Sequence, residues 1–170
     1  MDGKFEYAWI LKLLELGIER YIYMYDTFQG LTKPSKYDYT TKDASIYKMD
    51  NNTVIDYWDK QKIANNSKYV NAWCYAPLEK VKNRLGSLGY SENKLHYIVG
   101  DVAKTLNDFV PEKIAILRLD TDWYESSKIE LEKMYDKVTK GGIIIFDDYY
   151  HWDGQRRAVD DFFENIGEKI

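Results

Sequence analysis

The sequence predicts an α/β fold built around a mostly parallel sheet, and three observations carry that prediction. Apolar runs of strand length alternate with segments of helical periodicity, the pattern of strands joined by right-handed helical crossovers. One run, Ile114 to Leu119, leads straight into Asp120-Thr-Asp122, and another, within Gly141-Gly-Ile-Ile-Ile-Phe146, leads into Asp147-Asp148. Continuous apolar runs ending in acids read as buried parallel strands with a polar loop at the carboxyl end, where open α/β sheets bind their ligands. Neighbouring placement of these two strands would bring Asp120, Asp122, Asp147 and Asp148 to one edge.

Phe5 to Leu16 carries an apolar arc wide enough to be buried on more than one side of a helix, and Gly17 is placed to end it. Tyr21 to Tyr25 reads as a strand running into Asp26 and the turn-rich Phe28-Gln-Gly-Leu31. An acid in that position takes ribose hydroxyls in nucleotide-binding α/β folds, and it equally caps a turn; the two readings stand level. Regular patterning fades between about residues 32 and 76, a Tyr-rich segment read as a lid or insertion, with a short helix expected at Thr53 to Lys62. Pro77 opens a helix with Leu78, Val81, Leu85 and Leu88 at helical spacing, stopped by Gly89. His96 to Val99 is a strand closing on Gly100-Asp101, and Val102 to Phe109 a short helical or turn segment. After the Ile114 strand, Asp122 and Glu125 form an Asp-x-x-Glu capping box for a helix from Trp123 to Val138. Gly141-Gly142 then punctuates before the second acid-bearing strand, and a last helix from about Gln155 turns Val159, Phe162, Phe163 and Ile166 inward.

The chain has 170 residues, the size of one domain. Its formal charge is −4 and no basic cluster stands out, which argues against a nucleic-acid partner. The single cysteine, Cys74, forms no internal disulfide and suits a reducing compartment; a buried structural role is expected for it. The first residues lack the layout of a signal peptide and no apolar run approaches a membrane span, so a soluble, cytoplasmic protein is expected.

Asp120, Asp147 and Asp148 offer hard oxygen donors without soft ones nearby, a set suited to Mg²⁺, Mn²⁺ or Ca²⁺. Gathered without a cation, three carboxylates would repel one another and raise their pKa values. The structural alternative has Asp147 and Asp148 bonded to loop backbone, with Asp120 paired to Arg118 or Lys113. Asp122 is divided between helix cap and general base, and His151 between proton transfer and simple packing beside Trp152.

Ile116-Leu-Arg-Leu-Asp-Thr-Asp-Trp-Tyr-Glu-Ser-Ser127, Lys140-Gly-Gly-Ile-Ile-Ile-Phe-Asp-Asp-Tyr-Tyr-His-Trp152 and Gly154-Gln-Arg-Arg-Ala-Val-Asp160 together resemble the macrocin O-methyltransferase family. Tyr25-Asp-Thr-Phe-Gln-Gly-Leu31 and Val99-Gly-Asp-Val-Ala-Lys-Thr-Leu106 are similar to that family's second strand end and adenine-side loop, so the likeness runs from about Tyr21 to Phe163. The resemblance implies a Rossmann-like three-layer fold using S-adenosylmethionine and Mg²⁺, or Mn²⁺, to methylate a hydroxyl of a sugar-like small molecule. By position it implies Asp120, Asp147 and Asp148 as metal ligands, Asp122 as base and His151 as an orienting group. Asp26 would take the cofactor ribose, with Gly100 and Asp101 near the adenine. The family's first strand, its glycine-rich loop and its last strands have no counterpart here, which leads to the expectation of a partial domain that self-associates and binds cofactor weakly or not at all. Two other functions fit: Asp120-Thr-Asp122 as the Asp-x-Asp of a metal-dependent glycosyltransferase, and a catalytically inactive domain kept for association.

Overall fold

The computed structural model describes residues 2–44, 48–65 and 68–169. The chain divides into two compact units, one made of residues 1–32 and 61–101 and the other of residues 33–60 and 102–170. Among the described residues the strands form three two-stranded sheets, two of them parallel.

In the first unit, helix α1 (Lys4–Glu15) precedes strand β1 (Ile22–Asp26), which pairs in parallel with β4 (Leu95–Val99) in a register that sets Asp26 against Val99. Helix α3 (Leu78–Gly86) lies between them in sequence. Ile10 from α1, Met24 from β1, Val81 and Leu85 from α3, and Leu95 from β4 meet in one apolar core. Tyr90 anchors the approach to β1, its hydroxyl accepting from the Arg20 N–H at 2.6 Å and donating to the Arg20 carbonyl at 2.7 Å. The wide apolar arc of α1 is not buried on more than one side: Ile10 is its one fully buried residue, and Phe5, Leu11 and Leu14 are exposed. The same unit holds an antiparallel hairpin, β2 (Lys62–Asn65) with β3 (Lys68–Asn71), that the polar composition of the segment concealed. Cys74 is exposed rather than buried, on a residue with φ of 57° just beyond that hairpin.

The second unit begins with a strap of irregular chain and helix α2 (Asn51–Lys60), close to the short helix expected there. Residues 45–47 and 66–67, parts of the expected lid, lie outside the described residues. After the single-turn α4 (Val102–Thr105), β5 (Ile114–Leu119) pairs in parallel with β6 (Val138–Phe146). Helices α5 (Tyr124–Met134) and α6 (Asp153–Ile166) pack together, with Leu131, Met134, Ala158 and Val159 buried. Two boundaries differ from expectation. Helix α5 stops at Met134, and β6 already starts at Val138, running through Gly141-Gly142 rather than after them. Two steps along β5, from Ile114 to Ile116, are matched by five along β6, from Val138 to Ile143, so the glycines sit within a bulge. Gly141 has φ of 82°, and a Cβ on Gly142 would lie 2.8 Å from the Thr139 carbonyl, which explains why glycines stand there.

Candidate functional site

The parallel pairing of β5 and β6 sets Leu119 beside Phe146, so both strands end level and their acids emerge together. The ladder continues one residue further, with the Asp147 N–H donating to the Leu119 carbonyl at 3.1 Å. The Gln155 side chain, fully buried at the start of α6, ties both ends: its Oε1 accepts from the Asp148 N–H at 2.8 Å and its Nε2 donates to the Leu119 carbonyl at 3.4 Å. Ligand oxygens of Asp120, Asp147 and Asp148 consequently lie within 4.8 Å of one another.

Arg118 stands among them. Its side chain, 7% exposed, places Nη1 2.8 Å from Asp120 Oδ2 and Nη2 2.8 Å from Asp147 Oδ2. The pairing of Asp120 with Arg118 and the convergence of the three acids, framed from sequence as alternatives, therefore coexist. Burial pushes the Asp120 carboxyl up to about 7; the guanidinium opposes that rise and Asp147 adds to it. Asp148 is also raised, again by burial first, with His151 and Arg118 pulling the other way. Its Oδ2 is buried without a hydrogen-bond partner. A hard oxygen set with a buried, unsatisfied carboxylate oxygen fits a divalent cation, which would remove both the repulsion and the desolvation cost.

Asp122 is not the cap of α5. The N-cap is Trp123, which offers no side-chain hydrogen bond, and the Asp122-x-x-Glu125 box does not form. A residue 86 positions upstream does the capping: Asp38, fully buried, accepts from the Tyr124 N–H at 2.8 Å through Oδ1 and from the Ser35 N–H at 2.6 Å through Oδ2. Burial raises the Asp38 carboxyl and those backbone bonds oppose the rise. Gly154 makes the approach possible, since a Cβ there would collide with Asp38 Oδ1 and lie 2.9 Å from the Tyr124 nitrogen. Relieved of capping, Asp122 sits in a tight turn closed by the Trp123 N–H donating to the Thr121 carbonyl at 2.6 Å, with φ of 61°. Such a turn is rare and strained for a non-glycine residue. Its carboxyl hydrogen-bonds to Asp148, and burial, then Asp148, raises its pKa well above the ordinary carboxylate range.

His151 belongs to the same loop. Its N–H donates to the Asp148 carbonyl at 2.8 Å, its carbonyl accepts from the Thr41 N–H at 2.8 Å, and its ring meets Trp152 edge-on at 4.8 Å. The Thr41 hydroxyl also bonds the Tyr150 carbonyl, and Asp153 N–H reaches the Tyr39 carbonyl at 2.8 Å, so residues 38–41 lace the acid loop down. Beneath it, Glu130 on α5 is buried and accepts from the Thr121 hydroxyl at 2.9 Å; burial pushes its carboxyl up to about 8. Asp38, Gln155, Glu130 and Gly154 carry no local sequence signal of these roles.

The three residues expected near a nucleotide-like cofactor lie in the first unit. Asp26 Oδ1 accepts from the Phe28 N–H at 2.6 Å, which is the turn-capping arrangement, and the Asp26 carbonyl accepts from the Gly100 N–H at 2.9 Å. Gly100 has φ of 149°, and Asp101 follows it directly.

Comparison with known proteins finds a match to the model of the Macrocin-O-methyltransferase (TylF) family over residues 10–169. A Streptomyces olivaceus protein named 8-demethyl-8-(2,3-dimethoxy-alpha-L-rhamnosyl)-tetracenomycin-C 4'-O-methyltransferase is 34% identical over 91 residues, 54% of this chain and 34% of that protein. A Streptomyces niveus demethyldecarbamoylnovobiocin O-methyltransferase is 31% identical over 84 residues, 49% of this chain and 32% of its own. The matched segments thus span about a third of each of these relatives. Among solved structures, the O-methyltransferase NovP superposes with a TM-score of 0.72 at 22% identity, covering 95% of this chain and 59% of NovP. The calicheamicin methyltransferase CalS11 gives 0.56 at 22%, covering 84% and 51%. These two likenesses establish an α/β methyltransferase fold. No helix among the described residues is long and apolar enough to cross a membrane.

Proposed function

This chain belongs to the macrocin-O-methyltransferase (TylF) family, and on that premise we propose that it works in S-adenosylmethionine-dependent, divalent-metal-dependent methylation of a hydroxyl on a sugar-like small molecule. The observation that carries the reading is the meeting of Asp120, Asp147 and Asp148 within 4.8 Å beside a carboxyl, Asp122, held in a strained turn and hydrogen-bonded to Asp148. The printed name of one relative, a 4'-O-methyltransferase of a rhamnosyl-tetracenomycin, supports the sugar-like acceptor class.

In this reading Asp120, Asp147 and Asp148 hold the cation. Bound there, a divalent ion lowers the pKa of an acceptor hydroxyl and stabilises the charge that develops on it. Burial and the neighbouring Asp148 hold Asp122 protonated while the site carries no cation; a cation on Asp148 would offset that neighbouring charge, and Asp122, once ionised, would take the hydroxyl proton. The methyl donor would supply an electrophilic methyl group, which the hydroxyl oxygen would accept with an O–C bond replacing the S–C bond and S-adenosylhomocysteine as the leaving product. His151 orients Asp148 through its backbone N–H. Asp26, Gly100 and Asp101 bind the ribose and adenine side of the methyl donor.

Thermal protection tests the assignment. S-adenosylhomocysteine with Mg²⁺ is expected to raise the melting temperature of the 170-residue chain. Protection by nucleotide sugars with Mn²⁺, and none by S-adenosylhomocysteine, would replace the reading with that of an Asp-x-Asp glycosyltransferase.

A further inference from the structure

Arg118 is the charged side chain at the acid cluster for which the reading above has no use. It leaves β5 opposite Ile145 of β6, is almost wholly buried, and sets its terminal nitrogens 2.8 Å from carboxylates at two strand ends, Nη1 hydrogen-bonded to Asp120 and Nη2 in an ion pair with Asp147 that lacks hydrogen-bond geometry. A guanidinium does not lose its proton in a protein, so this positive charge is permanent. Its planar fork also fixes geometry. It contacts two of the three acids, Asp120 and Asp147, whose ligand oxygens lie with that of Asp148 within 4.8 Å of one another. A divalent ion and Arg118 would therefore draw on the same oxygens of Asp120 and Asp147, and the two cations would repel each other across them.

We propose that Arg118 is the resident counter-cation of the acid cluster: it holds Asp120 and Asp147 in place while no metal is bound, and competes with the divalent cation for them. This inference rests on the metal-site reading above. In the metal-free protein the guanidinium offsets the repulsion that would drive buried carboxylates apart. When the ion enters, Asp120 and Asp147 turn oxygens toward it and their bonds to Arg118 weaken. Metal affinity is thereby exchanged for a site that stays assembled when empty. Arg118 is a positioning residue, acting through Asp120 and Asp147.

The test compares the wild-type chain with Arg118→Met, which keeps the apolar stem and removes the charge. Mn²⁺ binding is read from the electron paramagnetic resonance signal of the free ion, and melting temperature is measured in EDTA and in Mg²⁺. Arg118→Met is expected to bind Mn²⁺ about tenfold more tightly than wild type, to melt lower in EDTA, and to recover more than wild type does on adding Mg²⁺. A residue serving only to pack would not tighten metal binding when removed. Equal or weaker Mn²⁺ binding by the variant overturns the competition, and an unchanged melting temperature in EDTA overturns the counter-cation role. Absence of Mn²⁺ binding in both chains refutes instead the metal site itself, and the competition with it. Should Arg118→Met not fold, Arg118→Lys carries the same comparison: a single ammonium cannot span both carboxylates, so tightening by a smaller factor is expected, and no tightening refutes the idea.

Discussion

Replacing Glu130 by Gln should flatten the pH dependence of stability. Glu130 is 6% exposed, receives one hydrogen bond from Thr121, and is pushed by burial from an ordinary 4.5 up to about 8. Between those pH values the unfolded chain carries Glu130 ionised and the folded chain carries it protonated. Folding then takes up a proton, and stability must fall as pH rises. Each pH unit is worth about 1.4 kcal/mol, so the whole window amounts to roughly 5 kcal/mol. Glutamine is neutral in both states and keeps an oxygen for Thr121, but its added N–H needs a buried partner, costing about 1–3 kcal/mol at every pH. The two stability curves should therefore cross, the variant being weaker near pH 5 and stronger near pH 8. Urea titrations followed by tryptophan fluorescence, in EDTA so that no cation alters Asp120, would measure this at single pH units. Parallel wild-type and variant curves across that range would refute the claim that Glu130 is buried in protonated form.

Asp38→Ala leaves the Tyr124 and Ser35 N–H groups without their acceptor; a loss of about 2–4 kcal/mol is expected from urea titration, with Asp38→Asn recovering part of it because an amide oxygen serves one of the two. Two glycine substitutions should have opposite signs. Gly154→Ala drives a methyl into Asp38 and the Tyr124 nitrogen and should cost more than about 2 kcal/mol, whereas Gly86→Ala, at the end of α3 with open space around it, should be neutral or stabilise by up to about 1 kcal/mol. Melting curves of the two variants check this.

Both acid-bearing strands were legible because each couples an apolar run to carboxylates, and the β5–β6 register then sets the two strand ends level. Local rules failed where distant residues supplied the partner. Asp122-x-x-Glu125 has the spacing of a capping box, yet Asp38 takes the cap, and Asp122 adopts positive φ instead. The Gly141-Gly142 pair read as a strand boundary; it forms a bulge within β6. Half of the residues of β2 and β3 are Lys and Asn, which have little strand preference, and they hid the strand signal of Ile63, Tyr69 and Val70. Gln155 and Glu130 escaped notice for the same reason as Asp38: their roles exist only once α5, α6 and the strand ends are packed.

The cap of α5 also orders events in time. Helix ends are usually completed by neighbours a few residues away, so they form as fast as the helix itself. Here the acceptor and donor are separated by 86 residues, and closing so long a loop must precede the reward of the bond. The turn holding Asp122 stands immediately before that helix end, so it can be fixed only after the strap has been laid across it. Assembly of the acid site is thus expected among the late steps of folding, after the local pairing of β5 and β6.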